Sequence, residues 1–251
     1  MESLRALLVV DAEKFSRHPG SELTGLHLAI VDAVDRAMAA SGLKEIWERV
    51  RFRQSTGDGL LAALPVDALP LLVHPFPHRL QDALAAAAPG LRARGVRLRL
   101  RVALHFGFLD DERTDAPGIS TATTDVNRLL DSEPLRSALD AGDPDVTFAA
   151  VLLSDETFRT FVLDGKTDLK PSQFTEVRVV VKQFDRPAHL YVPTPSRGAA
   201  GPPDAEPDAA PGPPSTPPSP PSLGNVQVSG DGSQNIVGSV LNGDAHLHGR
   251  A

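Results

Sequence analysis

Cysteine is absent from the 251 residues, which excludes disulfides and every thiolate metal site. Aromatic residues are scarce, at 5% with a single Trp and a single Tyr. Any core must therefore be aliphatic, and Leu, Val and Ala do dominate the periodic segments. Positive charge is not in excess: 25 Lys and Arg stand against 32 Asp and Glu, for a net charge of −7. A nucleic-acid binder usually carries a basic face, so no nucleic-acid partner is expected. No apolar run approaches the roughly 18 residues of a membrane span. The opening MESLRALLVVDAEKF carries an early acid and is broken by Asp11, unlike the long apolar region of a signal peptide. A cytoplasmic setting with no membrane partner is expected.

What is present falls into three parts. Composition changes near Pro193: from there to Ser222, 12 of the 23 prolines sit among Ala, Ser, Gly and Asp. Such a stretch buries too little to offset the entropy of ordering, so residues 194–222 read as an extended disordered linker. Residues 1–193 are long enough for one core. Within them Leu4–Val10 reads as a buried strand ending at Asp11, and Leu23–Ala40 as a helix with Leu26, Ile30, Ala33, Val34 and Met38 on one face. Val50–Thr56 and Leu60–Leu64 form a hairpin around Gly57-Asp58-Gly59. A second helix spans Leu69–Leu91, irregular near Pro75 and Pro77. Val96–Phe108 is a strand whose alternating arginines read as a half-exposed face, with His105 structural at its buried end. Asp125–Ala141 is helical, Val146–Leu153 a strand, and Ser154 caps a short helix. Val177–Phe184 and His189–Val192 close the domain as a strand pair. The order β-α-β-β-α-β, followed by an extra helix and strands, predicts a ferredoxin-like core within an α+β sandwich whose sheet is largely antiparallel.

In such a sheet the first strand lies beside the hairpin strands, so Asp11 and Asp58 approach one another. Two hard carboxylates together with phosphate oxygens suit Mg²⁺ or Mn²⁺. The plainer reading makes Asp58 a turn residue and Asp11 a helix cap, and spacing leaves both open.

Five segments, in order, resemble class III nucleotidyl cyclase domains: VVDAEKFS, STGDGLLAAL, LRVALHFG, DVNRLLDSEPLR and EVRVVVKQF. The resemblance implies a homodimeric cyclase that converts a nucleoside triphosphate to a cyclic monophosphate with two Mg²⁺ or Mn²⁺ ions per site. It implies Asp11, Asp58 and the Ala12 carbonyl as metal ligands. Lys182 would bind phosphate and Arg128 would stabilise transition-state charge, with Asn127 beside it. Phe15, Ser16, Gly57 and Thr124 would line the nucleotide site. The family places Asn four residues before its Arg; here Thr124 holds that position and Asn127 directly precedes Arg128. Where adenylyl enzymes carry a base-reading Lys, this chain has Gln54. Two functions stay open, an enzyme using another base or an inactive relative that senses nucleotide or serves as an adaptor.

The tail, residues 223–251, restores alternating apolar β-formers between Gly, Asn, Gln and Ser. Val226, Gln227 and Val228, then Asn235, Ile236 and Val237, resemble the core of RHIM-like bacterial amyloid signalling motifs. The resemblance implies a tail that stacks in cross-β and a receptor partner carrying a matching motif.

Overall fold

The computed structural model describes residues 1–115 and 117–196. The tail, with its six proposed amyloid positions, and all of the linker beyond Ser196 lie outside the described residues.

Seven strands form one sheet in the order β2-β3-β1-β4-β5-β7-β6. They are β1 (Ser3–Ala12), β2 (Phe52–Ser55), β3 (Gly59–Pro65), β4 (Leu100–Leu109), β5 (Ala149–Ser154), β6 (Thr175–Val181) and β7 (Phe184–Tyr191). β1 pairs antiparallel with both β3 and β4, which gives the four-stranded βαββαβ core that the sequence predicts. β5 joins β4 in parallel, and the β6–β7 hairpin extends that edge.

Alternation along the strands sorts side chains to two faces. Ala6, Leu8, Val10 and Ala12 of β1 meet α1 (Gly20–Ala40) and α4 (Phe76–Arg92) in a wholly apolar layer. Leu26, Ile30, Ala33, Val34 and Met38 of α1 are all buried there, as their 3.6-residue spacing requires. Leu7 and Val9 point the other way, to a core completed by α5 (Thr121–Leu130) and α6 (Glu133–Ala141). Ser154 caps α7 (Asp155–Thr157) by accepting from the Thr157 amide at 3.2 Å, and a π-helical turn, Phe158–Leu163, continues it.

The structure corrects several boundaries. The helix expected over Leu69–Leu91 is two, the short α3 (Leu69–Val73) and α4, parted at His74-Pro75, where the X-Pro bond is cis. The helix expected over Asp125–Ala141 begins four residues earlier, at Thr121, and breaks at Asp131–Ser132. Pro134 lies in the first turn of α6, where its missing N–H costs no helical bond. β4 starts at Leu100 rather than Val96. The closing hairpin turns at Lys182-Gln183, since Val181 pairs with Phe184, so Lys182 sits in the turn and not in a strand. The described chain also stays docked past residue 193: the Thr147 hydroxyl donates to the Thr194 carbonyl at 2.7 Å, and the Asp143 amide to the Ser196 hydroxyl at 2.9 Å. No helix among the described residues is long and apolar enough to cross a membrane.

Candidate functional site

The end of β1 is where the second sheet face changes character. Following Leu7 and Val9, the next two residues of that face are Asp11 and Glu13. Below Ala103 the matching positions are Arg101 on β4 and Arg99 just before it. Asp11 stands opposite Arg101 on one side and Gly59 on the other. The glycine is required: a Cβ at position 59 would overlap the Val10 carbonyl oxygen. That close approach, with the Ala12 amide donating to the Asp58 carbonyl at 2.8 Å, seats the hairpin turn against the end of β1.

Asp11 and Asp58 are thereby neighbours. Asp11 is 8% exposed, and burial pushes its carboxyl up to about 6, against the pull of Arg101 and with the Asp58 carboxylate adding to the rise. Arg101 pairs directly with Asp11, while its Nε is buried without a hydrogen-bond partner among the described residues. An orphaned buried donor costs stability unless something accepts from it. A small cavity of about 220 Å³ opens beside this pair, lined by Glu13, Arg101, Arg136 and Leu139 among others.

Of the arginines of RLRLR only Arg97 is exposed; Arg99 and Arg101 are not a solvated strand face. Arg99 is 6% exposed; it donates to Glu13 at 2.7 Å and to the Leu139 and Gly142 carbonyls at the end of α6. Sequence alternation alone does not distinguish such residues from exposed ones, because their partners come from β1 and α6. His105 is structural as read: its Nδ1 lies 2.9 Å from the Ser154 hydroxyl, and burial lowers its pKa.

A further contact was not legible from the sequence. His27 of α1 places Nδ1 2.9 Å from the Gly57 carbonyl and Nε2 3.3 Å from the Ser55 hydroxyl. It braces the turn that carries Asp58, where Gly57 has a φ of +87°, open to glycine without strain.

The other predicted residues lie apart. Phe15 packs partly buried against the α1/α4 core, and Ser16 is exposed on the turn Phe15–Arg17. Thr124 and Asn127 bond to carbonyls of their own segment, Ser120 at 3.1 Å and Thr123 at 2.7 Å. Arg128 reaches Asp125 at 3.4 Å and lies over the Phe184 ring of β7. Lys182 is exposed, with a φ of +56°. In the sheet β7 is three strands from β1, roughly 14 Å at the usual strand spacing. Within one chain Lys182 and the Phe184 ring under Arg128 therefore sit three strands from the carboxylates. Gln54 is exposed on β2.

The sequence matches no family model and no curated protein. Solved structures do match. The chain is similar to the adenylyl cyclase CyaB from P. aeruginosa, with 17% identity over 80% of this chain and 100% of that one and a TM-score of 0.50. It is similar to an adenylate/guanylate cyclase/hydrolase from Silicibacter pomeroyi, with 19% identity over 78% and 99% and a TM-score of 0.50. It is also similar to adenylate cyclases from Trypanosoma brucei in their monomeric state, with 15% identity over 78% and 91% and a TM-score of 0.50. The fold is that of a cyclase domain.

Proposed function

We propose that this chain is a divergent nucleotidyl cyclase-like signalling effector that converts a nucleoside triphosphate to a cyclic monophosphate. The observation that carries the reading is the convergence of Asp11 and Asp58 beside Arg101. Two adjacent carboxylates, one of them nearly buried, repel each other unless a cation sits with them. Among the described residues no group of three or more His, Asp or Glu side chains is gathered for a metal. A carboxylate pair that leaves coordination positions to substrate phosphates suits Mg²⁺ or Mn²⁺, so the donor set fits.

Asp11, Asp58 and the Ala12 carbonyl would hold two such ions. When bound, these ions supply charge neutralisation on the triphosphate and acidify the ribose 3′-hydroxyl. Arg101, released from Asp11, offers its guanidinium, including the unpartnered Nε, to phosphate oxygens. Phe15, Ser16, Gly57 and Thr124 would line the nucleotide. Arg128, with Asn127, and Lys182 would stabilise charge on the transferring phosphoryl group. Because Lys182 and the Arg128 guanidinium lie at β7, three strands from Asp11 in the same chain, they would serve the site of a second copy, and the working unit is a homodimer. The linker and tail, residues 194–251, would tether and cluster such dimers through the amyloid-like motif, templated by a receptor with a matching segment. Clustering raises local concentration and so favours pairing.

The test incubates the full chain with each of the four nucleoside triphosphates and Mn²⁺ and seeks cyclic monophosphate by mass spectrometry, beside Asp58→Ala. A product lost in the variant is expected, and it names the base. A folded dimer that yields no product with any of the four would favour the second reading, an inactive relative that senses nucleotide or acts as an adaptor. The exposed Gln54 at the base-reading position favours that alternative.

A further inference from the structure

A cavity of about 630 Å³ has a lining that contains none of Asp11, Asp58 or Arg101. It lies past the end of β1, between the turn that enters α1, the α4–β4 turn and the end of α6. Its volume falls in the range of small-molecule sites. On a chain of net charge −7, its lining is basic: Lys14, Arg17, Arg92, Arg97 and Arg99 converge there.

The charges divide into a paired set, with Arg99 and Glu13 enclosed at the floor and Lys14 and Asp140 open to solvent, and a rim whose cations are not all paired. On the floor, buried Arg99 is balanced by Glu13 at 2.7 Å, and Lys14 bridges Glu13 at 2.7 Å and Asp140 at 2.9 Å. Two cations meet two carboxylates, and Lys14 is held with a φ of +57°. On the rim, Arg92 and Arg97 share one carboxylate, Asp145, at 2.9 and 3.6 Å. Arg17 is exposed, with no carboxylate within ion-pair reach among the described residues, and His18 is turned to Glu22. Three rim cations thus face Asp145, with Glu22 beyond His18, which leaves positive charge in excess around a concave opening. A fixed floor beneath a rim with spare cations is a preorganised anion receptor, since the floor pairs hold the rim without neutralising it.

We infer that this cavity is a binding site for a phosphate-bearing small molecule, separate from the carboxylate pair. A phosphate group suits that surplus, and Arg17, Arg92 and Arg97 are the donors suited to its oxygens. The remaining volume takes a second phosphate or a nucleoside. The inference does not depend on the proposed cyclase activity, because it needs neither Asp11 and Asp58 nor a metal.

The experiment titrates the full chain with inorganic pyrophosphate in EDTA by isothermal calorimetry, at low and high salt. One site per chain is expected, weakening several-fold as salt rises and unchanged in Asp58→Asn. Arg17→Gln/Arg97→Gln, at exposed positions, should weaken it at least tenfold at an unchanged melting temperature. A nucleoside triphosphate binding more tightly than pyrophosphate would assign the remaining volume to a nucleoside, and equal affinities would assign it to phosphate alone; both support the site. No binding by the parent chain, or binding that survives the double substitution, would overturn it. So would binding that needs Mn²⁺ and disappears in Asp58→Asn, which would place the phosphate at the carboxylates instead.

Discussion

The two faces of one strand pair end differently. On the α1/α4 face, β1 and β4 stay apolar to their last residues, with Ala12 and Leu100 still buried in the core. On the α5/α6 face, the same strands turn to Asp11, Glu13, Arg99 and Arg101 within four residues of Val9 and Ala103. Neighbouring residues of one strand thus do opposite work. One face supplies the burial that folds the domain. The other holds charges that burial alone disfavours, and the fold bears them because the first face is uninterrupted. Stability and chemistry are separated by the two-residue period of the strand.

The largest expected effect comes from breaking the apolar face. Ile30 is fully buried in α1, and Ile30→Ala should cost about 2–5 kcal/mol, read as a lower urea midpoint of the full chain.

The charged face should respond with the opposite sign. The folded Asp11 carboxyl keeps its proton to about pH 6, against a reference value of 3.8. Between these values the folded state binds the more protons, so stability falls as pH rises through the window, and the full cost stands above it. Asn mimics the protonated form. Asp11→Asn should therefore melt above the parent at pH 7.5, with the gap closing towards pH 4. A variant that melts lower at pH 7.5 would mean that the ion pair with Arg101 outweighs desolvation.

The smallest effect sharpens the boundary between the faces, where α1 touches the hairpin. His27→Leu removes both contacts to the turn and should cost no more than about 1 kcal/mol. Exchange of the Thr56 amide, which donates to the Gly59 carbonyl at 3.0 Å, should rise several-fold, and His27→Gln should restore it. Unchanged exchange in the Leu variant would show that β1 alone seats the hairpin.

Much of this fold was legible in the sequence because its signals are local. The burial of Leu26, Ile30 and Val34 follows from helical spacing, and Gly57-Asp58-Gly59 marks its own turn. The adjacency of Asp11 and Asp58 follows from the strand order that βαββαβ imposes. The misreadings share a cause. RLRLR alternates like an exposed strand face, yet Arg99 is enclosed by Glu13 from β1 and by carbonyls of α6, more than 40 residues further along the chain for Gly142. Asp131–Ser132 divides one apolar period into two helices, a break that periodicity passes over. Lys182 reads as a strand residue because Val177–Val181 sets the rhythm, but the Val181–Phe184 pairing makes it a turn.

The amino-acid sequence by itself determined the aliphatic core, the element order, the ferredoxin-like class and the placing of one carboxylate at each of two chain segments. These depend on periodicity and turn chemistry, which act over a few residues. Only the tertiary structure decided that Arg101 sits on Asp11, that His27 braces the turn, that the Arg128 guanidinium lies at β7, three strands from the carboxylates, and that five basic side chains line one cavity. Each of these joins segments far apart in sequence, and the spacing of residues along a chain carries no measure of that distance.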